Sequence, residues 1–103
     1  MRTTEDERLL ESLKQLLMKL DVCIDEAKGM SKGQIWKLKC YKDAKRCLEE
    51  IYKDWKDVNH PAVPYIQKAD AAMSDEDGPW LALDQIKEAI RYLESKRETE
   101  PEN

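Results

Sequence analysis

Apolar residues recur through the first part of the chain at alternating spacings of four and three, which places them on one face of an α-helix. Thr4 and Glu7 have the separation of a capping box, which marks a helix start, and Gly29 is the residue type that most often ends a helix. The pattern therefore predicts a first helix over residues 4–28. Its apolar face consists of Leu9, Leu13, Leu16, Leu20, Cys23 and Ala27.

A second helix is predicted over residues 32–58. Ser31 and Gln34 repeat the capping-box spacing directly after the glycine turn, and Pro61 prevents the helix from continuing. Because only this tight turn separates the first two helices, we expect them to pack as an antiparallel hairpin. At about 100° of rotation per residue, the second helix has one broad apolar arc. The arc contains Trp36, Cys40, Ala44, Cys47, Leu48, Ile51, Trp55 and Val58.

Two further helices complete the predicted fold. Pro64 suits the first turn of a short helix over residues 64–73, and an acidic turn then leads to a fourth helix over residues 79–97. Residues 98–103 are acidic and polar, so we expect a disordered tail there. The inward positions are Ile66, Ala69 and Met73 in the short helix and Leu83, Ile86, Ala89, Ile90 and Leu93 in the fourth.

Composition supports an all-α fold, a small helical bundle of three long helices and one short helix. The 103 residues include only 3 Gly, 4 Pro and no Phe, whereas charged residues make up 39%. Leu, Ala, Glu and Lys favour helices over strands, and this length predicts a single domain over residues 1–97. No uncharged run is long enough to span a membrane, and the polar start is unlike a signal peptide. We therefore expect a cytoplasmic protein with no membrane contact.

The cysteines Cys23, Cys40 and Cys47 favour the same compartment. Their odd number and the lack of a secretory signal indicate reduced thiols, and all three lie on predicted apolar faces, where a thiol packs as a small hydrophobe. The chain has 1 histidine, His60, and no metal, nucleophile or phosphate-loop motif. We expect no catalytic residue, metal or cofactor. A small metalloprotein or enzyme with a site inside the bundle is one alternative.

Charge is unevenly distributed along the chain. Residues 1–27 hold 4 basic and 7 acidic side chains, residues 28–46 hold 7 and 1, and residues 47–103 hold 7 and 14, for a net charge of −4. The basic block can contact nucleic acid phosphates, which is a second alternative, or it can be a solvated helix face. A pI of about 5.1 disfavours a dedicated nucleic-acid-binding protein. The basic residues opposite the apolar arc of the second helix are Lys39, Lys42, Arg46 and Lys53.

Apolar side chains also occur away from the predicted core faces, where a monomeric bundle has little use for them. They form pairs on the first, second and fourth helices, and the pair on the second helix shares the basic side. Trp80, at the start of the fourth helix, is the tryptophan that lies off its helix's apolar face. The candidate contact residues are Met18, Val22, Ile35, Leu38, Lys39, Lys42, Lys45, Arg46, Trp80, Leu81 and Tyr92.

These observations predict a non-catalytic protein–protein interaction module, a small adaptor, regulator or inhibitor of a larger protein machine. Apolar anchors beside positive charge suit an acidic protein partner, and the other off-face residues suit a homodimer contact. Short, charge-rich, glycine-poor chains also occur among phage and mobile-element inhibitors, which is one version of this prediction. No motif in the sequence identifies a family.

Overall fold

The computed structural model describes residues 3–75 and 77–99, and the regular elements of this part are all helices. The all-α prediction is therefore confirmed, with no strand among the described residues. The helices in chain order are α1 (Thr4–Ala27), α2 (Lys32–Ile35), α3 (Lys39–Trp55), α4 (Val63–Ala72) and α5 (Gly78–Thr99).

The four longer helices form an antiparallel bundle. α1 packs against α3 and α5, and α4 packs against the same two helices. Lys14, near the middle of α1, has its Nζ atom 3.6 Å from Glu94 Oε2 in the last third of α5. The Tyr41 hydroxyl, near the start of α3, donates a hydrogen bond to the Met73 carbonyl at the end of α4. The core between the helices contains the fully buried side chains of Leu9, Leu13, Leu16, Leu20, Leu48, Ile66, Ile86 and Leu93.

α1 begins at residue 4 as predicted, but its capping box lies one residue earlier than predicted. Thr3 is the N-cap: its hydroxyl accepts the Asp6 N–H at 3.1 Å, and the Asp6 carboxylate accepts the Thr3 N–H at 3.0 Å. The capping box is therefore Thr3 with Asp6 and not Thr4 with Glu7. The cause is tertiary, because Asp6 is buried and is also held by a residue from another part of the chain. At the other end of the helix, Gly29 has φ +80°, as expected for a glycine that ends a helix.

The predicted second helix is interrupted, so the expectation of one helix over residues 32–58 is wrong. α2 ends at Ile35, and Leu38 has an extended backbone (φ −68°, ψ 139°) before α3 begins. Ser31 is the N-cap residue of α2, but its side chain makes no capping hydrogen bond. α3 ends at Trp55, before the predicted boundary.

The interruption has a packing cause. In a continuous helix, Ile35 would lie about 140° from Leu48 and could not enter the same core. With the interruption, Ile35 is 1% exposed and joins the core, and the buried stripe of α3 rotates to include Tyr41. Trp36 and Val58, expected in the apolar arc, are exposed instead.

The last two helices, α4 and α5, lie close to their predicted positions in the chain. α4 begins with Pro64 in its first turn and buries its three predicted inward residues. α5 runs from Gly78, next to the end of α4, to Thr99, so it is longer than predicted and includes the first residues of the expected tail. Leu83 is only partly buried, whereas the other predicted inward positions of α5 are buried. Residues 100–103 of the expected tail lie outside the described residues.

Candidate protein-binding surfaces

Exposure divides the predicted contact residues into three groups. Ile35 is buried, so its assignment to a contact surface is wrong; the interruption after α2 turns it into the core. Leu38 and Tyr92 are half-buried and pack against the core, which leaves them only a partial surface. The residues that are exposed or half-exposed as predicted are Met18, Val22, Lys39, Lys42, Lys45, Arg46, Trp80 and Leu81.

A basic face runs along the outside of α3. It consists of Lys39, Lys42, Arg46 and Lys53, which lie opposite the buried stripe of the helix and are all exposed. Within the described part of the chain, no carboxylate lies within ion-pair distance of Lys39, Lys42 or Arg46. These charges are therefore available to another molecule.

An open pocket of about 430 Å³ adjoins the first turns of this basic face. Tyr41 lines the pocket and is held in place because its hydroxyl donates a hydrogen bond to the Met73 carbonyl at the end of α4. Burial raises the pKa of this hydroxyl. Trp36 forms one wall and is 42% exposed. The lining residues are Trp36, Tyr41, Lys42, Lys45 and Ser74. We refer to this site as the α2–α3 pocket.

The α2–α3 pocket could not be predicted from the sequence, because the pocket depends on the interruption between the two helices. No proline or glycine marks residues 36–38, so no local signal predicted that Trp36 would be turned outwards. The contribution of Ser74 depends on the position of α4 in the bundle. Of the residues that line the pocket, only Lys42 and Lys45 were predicted from the sequence to be contact residues.

The edge of the basic face towards α4 meets an acidic side chain of the same protein. Burial and the nearby Glu49 raise the pKa of Asp70, and Lys45 opposes this rise. Lys45 is half-buried, and its positive charge interacts with the Asp70 carboxylate of the same protein. Of the predicted basic contact residues, those on the outer side of α3 remain the more accessible.

A shallow groove follows the line where α1 packs against α3. One part, of about 320 Å³, is lined by Met18, Lys19, Val22, Cys40 and Asp43. The adjoining part, of about 370 Å³, is lined by Gln15, Lys19, Asp43, Arg46, Cys47 and Glu50. Met18 is 69% exposed and Val22 is 52% exposed, so these predicted contact residues lie on the surface and in one place. We refer to this site as the α1–α3 groove.

Trp80 lies at the end of the bundle where α5 begins. With Asp77, it lines an open pocket of about 380 Å³ whose other lining residues include Met30, in the turn after α1, and Ile35 of α2. Trp80 is 36% exposed and Leu81 is 43% exposed. Trp80 therefore caps the end of the bundle with part of its ring system, and a smaller part of the side chain is on the surface.

The cysteines lie between α1 and α3 in environments that disfavour thiolates. Cys23 is buried, and Cys40 and Cys47 are partly buried. Burial raises the pKa of all three, and the pKa of Cys40 reaches about 12, with hydrogen bonds to Glu26 and Cys23 as further causes. Protonated thiols are poor nucleophiles and poor metal ligands. No group of potential metal ligands was found among the described residues.

His60 and Asp6 form a contact between distant parts of the chain that sequence analysis missed. The Nδ1 atom of His60 accepts the Ala62 N–H at 3.0 Å, so the proton is on Nε2, which donates to Asp6 Oδ1 at 2.6 Å. The ring also meets the edge of Trp55, with centroids 5.8 Å apart. Both ring nitrogens are occupied by protein groups, which favours a structural role over acid–base catalysis. The Thr3-x-x-Asp6 spacing was the one signal that could have drawn attention to Asp6.

Comparison with other proteins adds no functional assignment. No family model matches the chain, and the searches of curated proteins and of solved structures gave no match either. Within residues 3–75 and 77–99, none of the helices has both the length and the apolar character needed to cross a membrane.

Proposed function

We propose that this protein is a non-catalytic binding module that holds an acidic segment of another protein against the basic face of α3 and the α2–α3 pocket. It acts as an adaptor, regulator or inhibitor of that partner. We place it in the cytoplasm, where its three thiols would stay reduced.

One observation carries this proposal: unpaired positive charge lies beside an exposed tryptophan and a pocket. Lys39 and Lys42 are exposed and have no ion-pair partner in the described structure, and Lys42 also lines the pocket next to Trp36. Aromatic residues are enriched at protein interfaces, where the ring provides apolar contact area, and complementary charges select and orient the partner. An acidic segment with an apolar side chain fits both features.

A protein partner is favoured over a nucleic acid. The chain carries −4 overall, and the residues after the basic block are strongly acidic, so a long phosphate backbone would be repelled beyond α3. A short acidic segment can contact Lys39 and Lys42 beside the pocket without extending along the chain's acidic surface. The pocket lining also includes the indole ring of Trp36, which is a better contact for an apolar side chain than for a phosphate.

The test is an NMR titration of the full, isotope-labelled chain with probes of equal negative charge. The probes are a glutamate-rich peptide with interspersed leucines, a polyglutamate peptide and a single-stranded oligonucleotide. We expect the leucine-containing peptide to bind most tightly and to shift the amide signals of residues 36–46. The pair of substitutions Lys39→Glu and Lys42→Glu should raise its Kd by about tenfold, because both remove charges that contact the peptide.

A matched pair of substitutions controls for net charge. Lys68→Glu with Lys87→Glu changes the charge equally at exposed positions on α4 and α5 and should alter the Kd by less than about threefold. Equal weakening by both pairs, or signal changes outside α2 and α3, would contradict the proposal. Tighter binding of the oligonucleotide through the same residues would replace it with the nucleic-acid alternative.

A further inference from the structure

We infer that the α1–α3 groove binds a second copy of this chain, and that the two copies are related by a two-fold axis. This inference does not depend on the proposed function, because the groove lies between α1 and α3, shares only Arg46 with the basic face and shares no residue with the α2–α3 pocket. The centre of the groove is apolar. Met18 and Val22 are one helical turn apart on α1 and are the two most exposed large apolar side chains among the described residues.

The charged side chains around this apolar centre are balanced in sign. Lys19 and Arg46 supply positive charge, and Asp43 and Glu50 supply negative charge, so these groups sum to zero. None of these four side chains forms an ion pair within the described part of the chain. Lys19 and Asp43 line both parts of the groove, so opposite charges lie on opposite sides of it.

A two-fold axis makes this arrangement complementary to itself. In a two-fold dimer, the same patch is present on both partners, and any contact from one residue to another occurs twice. Cations of one copy can then meet anions of the other while Met18 and Val22 pack against their equivalents. The basic face of α3 lacks this property, because a two-fold axis there would place lysines against lysines.

The charge of the whole molecule favours the same place. Two copies that each carry −4 repel at a distance, and the repulsion is smallest where the local charge is balanced. The groove spans residues 15–22 of α1 and residues 40–50 of α3, about 12 Å and about 16 Å of helix. Stretches of this length make a contact smaller than a standard specific interface, so we expect a weak dimer that forms at about 0.1–1 mM chain.

Analytical ultracentrifugation of the full chain across this concentration range tests the inference. We expect the wild-type chain to be a dimer at the top of the range, and Met18→Glu with Val22→Glu to shift its dissociation constant upwards by at least about tenfold. Leu81→Glu is the matched control, since it also places a carboxylate at an exposed apolar position on a helix, but away from the groove. A wild-type chain that stays monomeric throughout, or a dimer that is equally sensitive to Leu81→Glu, would overturn the inference.

A charge exchange tests the two-fold arrangement itself. One variant carries Lys19→Glu and Arg46→Glu, and the other carries Asp43→Lys and Glu50→Lys. Each variant alone should be monomeric, because like charges then face each other across the axis, whereas an equal mixture should recover the dimer. Failure of the mixture to associate would exclude this arrangement. Circular dichroism of each variant, compared with the wild-type spectrum, checks that the bundle is intact.

Discussion

Asp6 is an acidic residue with 1% of its surface exposed, and its carboxylate serves two elements at once. One oxygen accepts the backbone N–H of Thr3 and completes the N-cap of α1. The other oxygen accepts a hydrogen bond from the Nε2–H group of His60, which lies between α3 and α4. Both bonds are partly buried, and the bond to His60 holds the start of α1 against the connection between two other helices.

We expect Asp6→Ala to lower the free energy of unfolding at pH 7 by about 2–4 kcal/mol. The substitution removes half of a capping box and the acceptor of a buried imidazole N–H, and each loss costs about 1–2 kcal/mol. Urea unfolding followed by circular dichroism measures the change. Glu5→Ala is the control, because Glu5 is exposed on the same helical turn and should change the stability by no more than about 0.5 kcal/mol. Similar losses in the two variants would contradict this account of Asp6.

At the scale of elements, the separation of α2 from α3 determines which aromatic side chain faces the solvent. Leu38 has an extended backbone, so α3 starts afresh at Lys39. This arrangement lets Ile35 enter the core and leaves Trp36 as a wall of the α2–α3 pocket. The proposed binding site therefore exists because the helix is interrupted.

Proline at position 39 tests the interruption directly. The Lys39 N–H makes no hydrogen bond in the described structure, position 39 is the first residue of α3, and the extended Leu38 backbone is compatible with a following proline. We therefore expect Lys39→Pro to change the free energy of unfolding by less than about 1 kcal/mol. In a continuous helix, the same substitution would cost about 3 kcal/mol or more.

Arg46→Pro is the control for this measurement. It places proline in the interior of α3 and should lower the stability by at least about 3 kcal/mol or unfold the protein. Thermal melts of both variants and of the wild-type chain give the comparison. If Lys39→Pro is as damaging as Arg46→Pro, α2 and α3 form one helix in solution.

Periodicity was sufficient to predict α1, α4 and α5, because each buries a single stripe that can be read from local spacing. It was insufficient for the second predicted helix, where Ile35 and Leu48 enter one core only if the backbone is interrupted. The basic face depends on the phase of α3 alone, so its lysines were predicted. The pocket beside it needs the interruption and the end of α4, and the contact of Asp6 with His60 joins residues 54 positions apart.

At the scale of the whole molecule, weakly acidic groups lie where helices pack together. Cys23, Cys40 and Cys47 lie between α1 and α3, and Tyr41 lies between α3 and α4. Burial is the largest cause of the raised pKa of each of these four groups. Their neutral, protonated forms are therefore part of the folded state, and ionisation opposes the packing of the bundle.

The bundle should consequently lose stability in alkaline solution. For Cys40, the pKa is about 12 in the folded chain, against an ordinary value of 9.0 in the unfolded chain. Between these values the unfolded chain binds fewer protons than the folded chain, so the free energy of unfolding falls as the pH rises. The contribution of Cys40 is fully present below about pH 9 and declines above it, by at most about 1.4 kcal/mol per pH unit.

Urea unfolding of the wild-type chain and of Cys40→Ala, in the presence of a reductant, measures this contribution from pH 7 to pH 11. Both stabilities should fall as Cys23, Cys47 and Tyr41 ionise, but the wild-type curve should fall more steeply above about pH 9, because only this chain has Cys40 to ionise. The difference between the two chains isolates that thiol from every other group. Parallel curves would mean that Cys40 ionises as readily in the folded bundle as in the unfolded chain, and that its position between α1 and α3 does not keep it protonated.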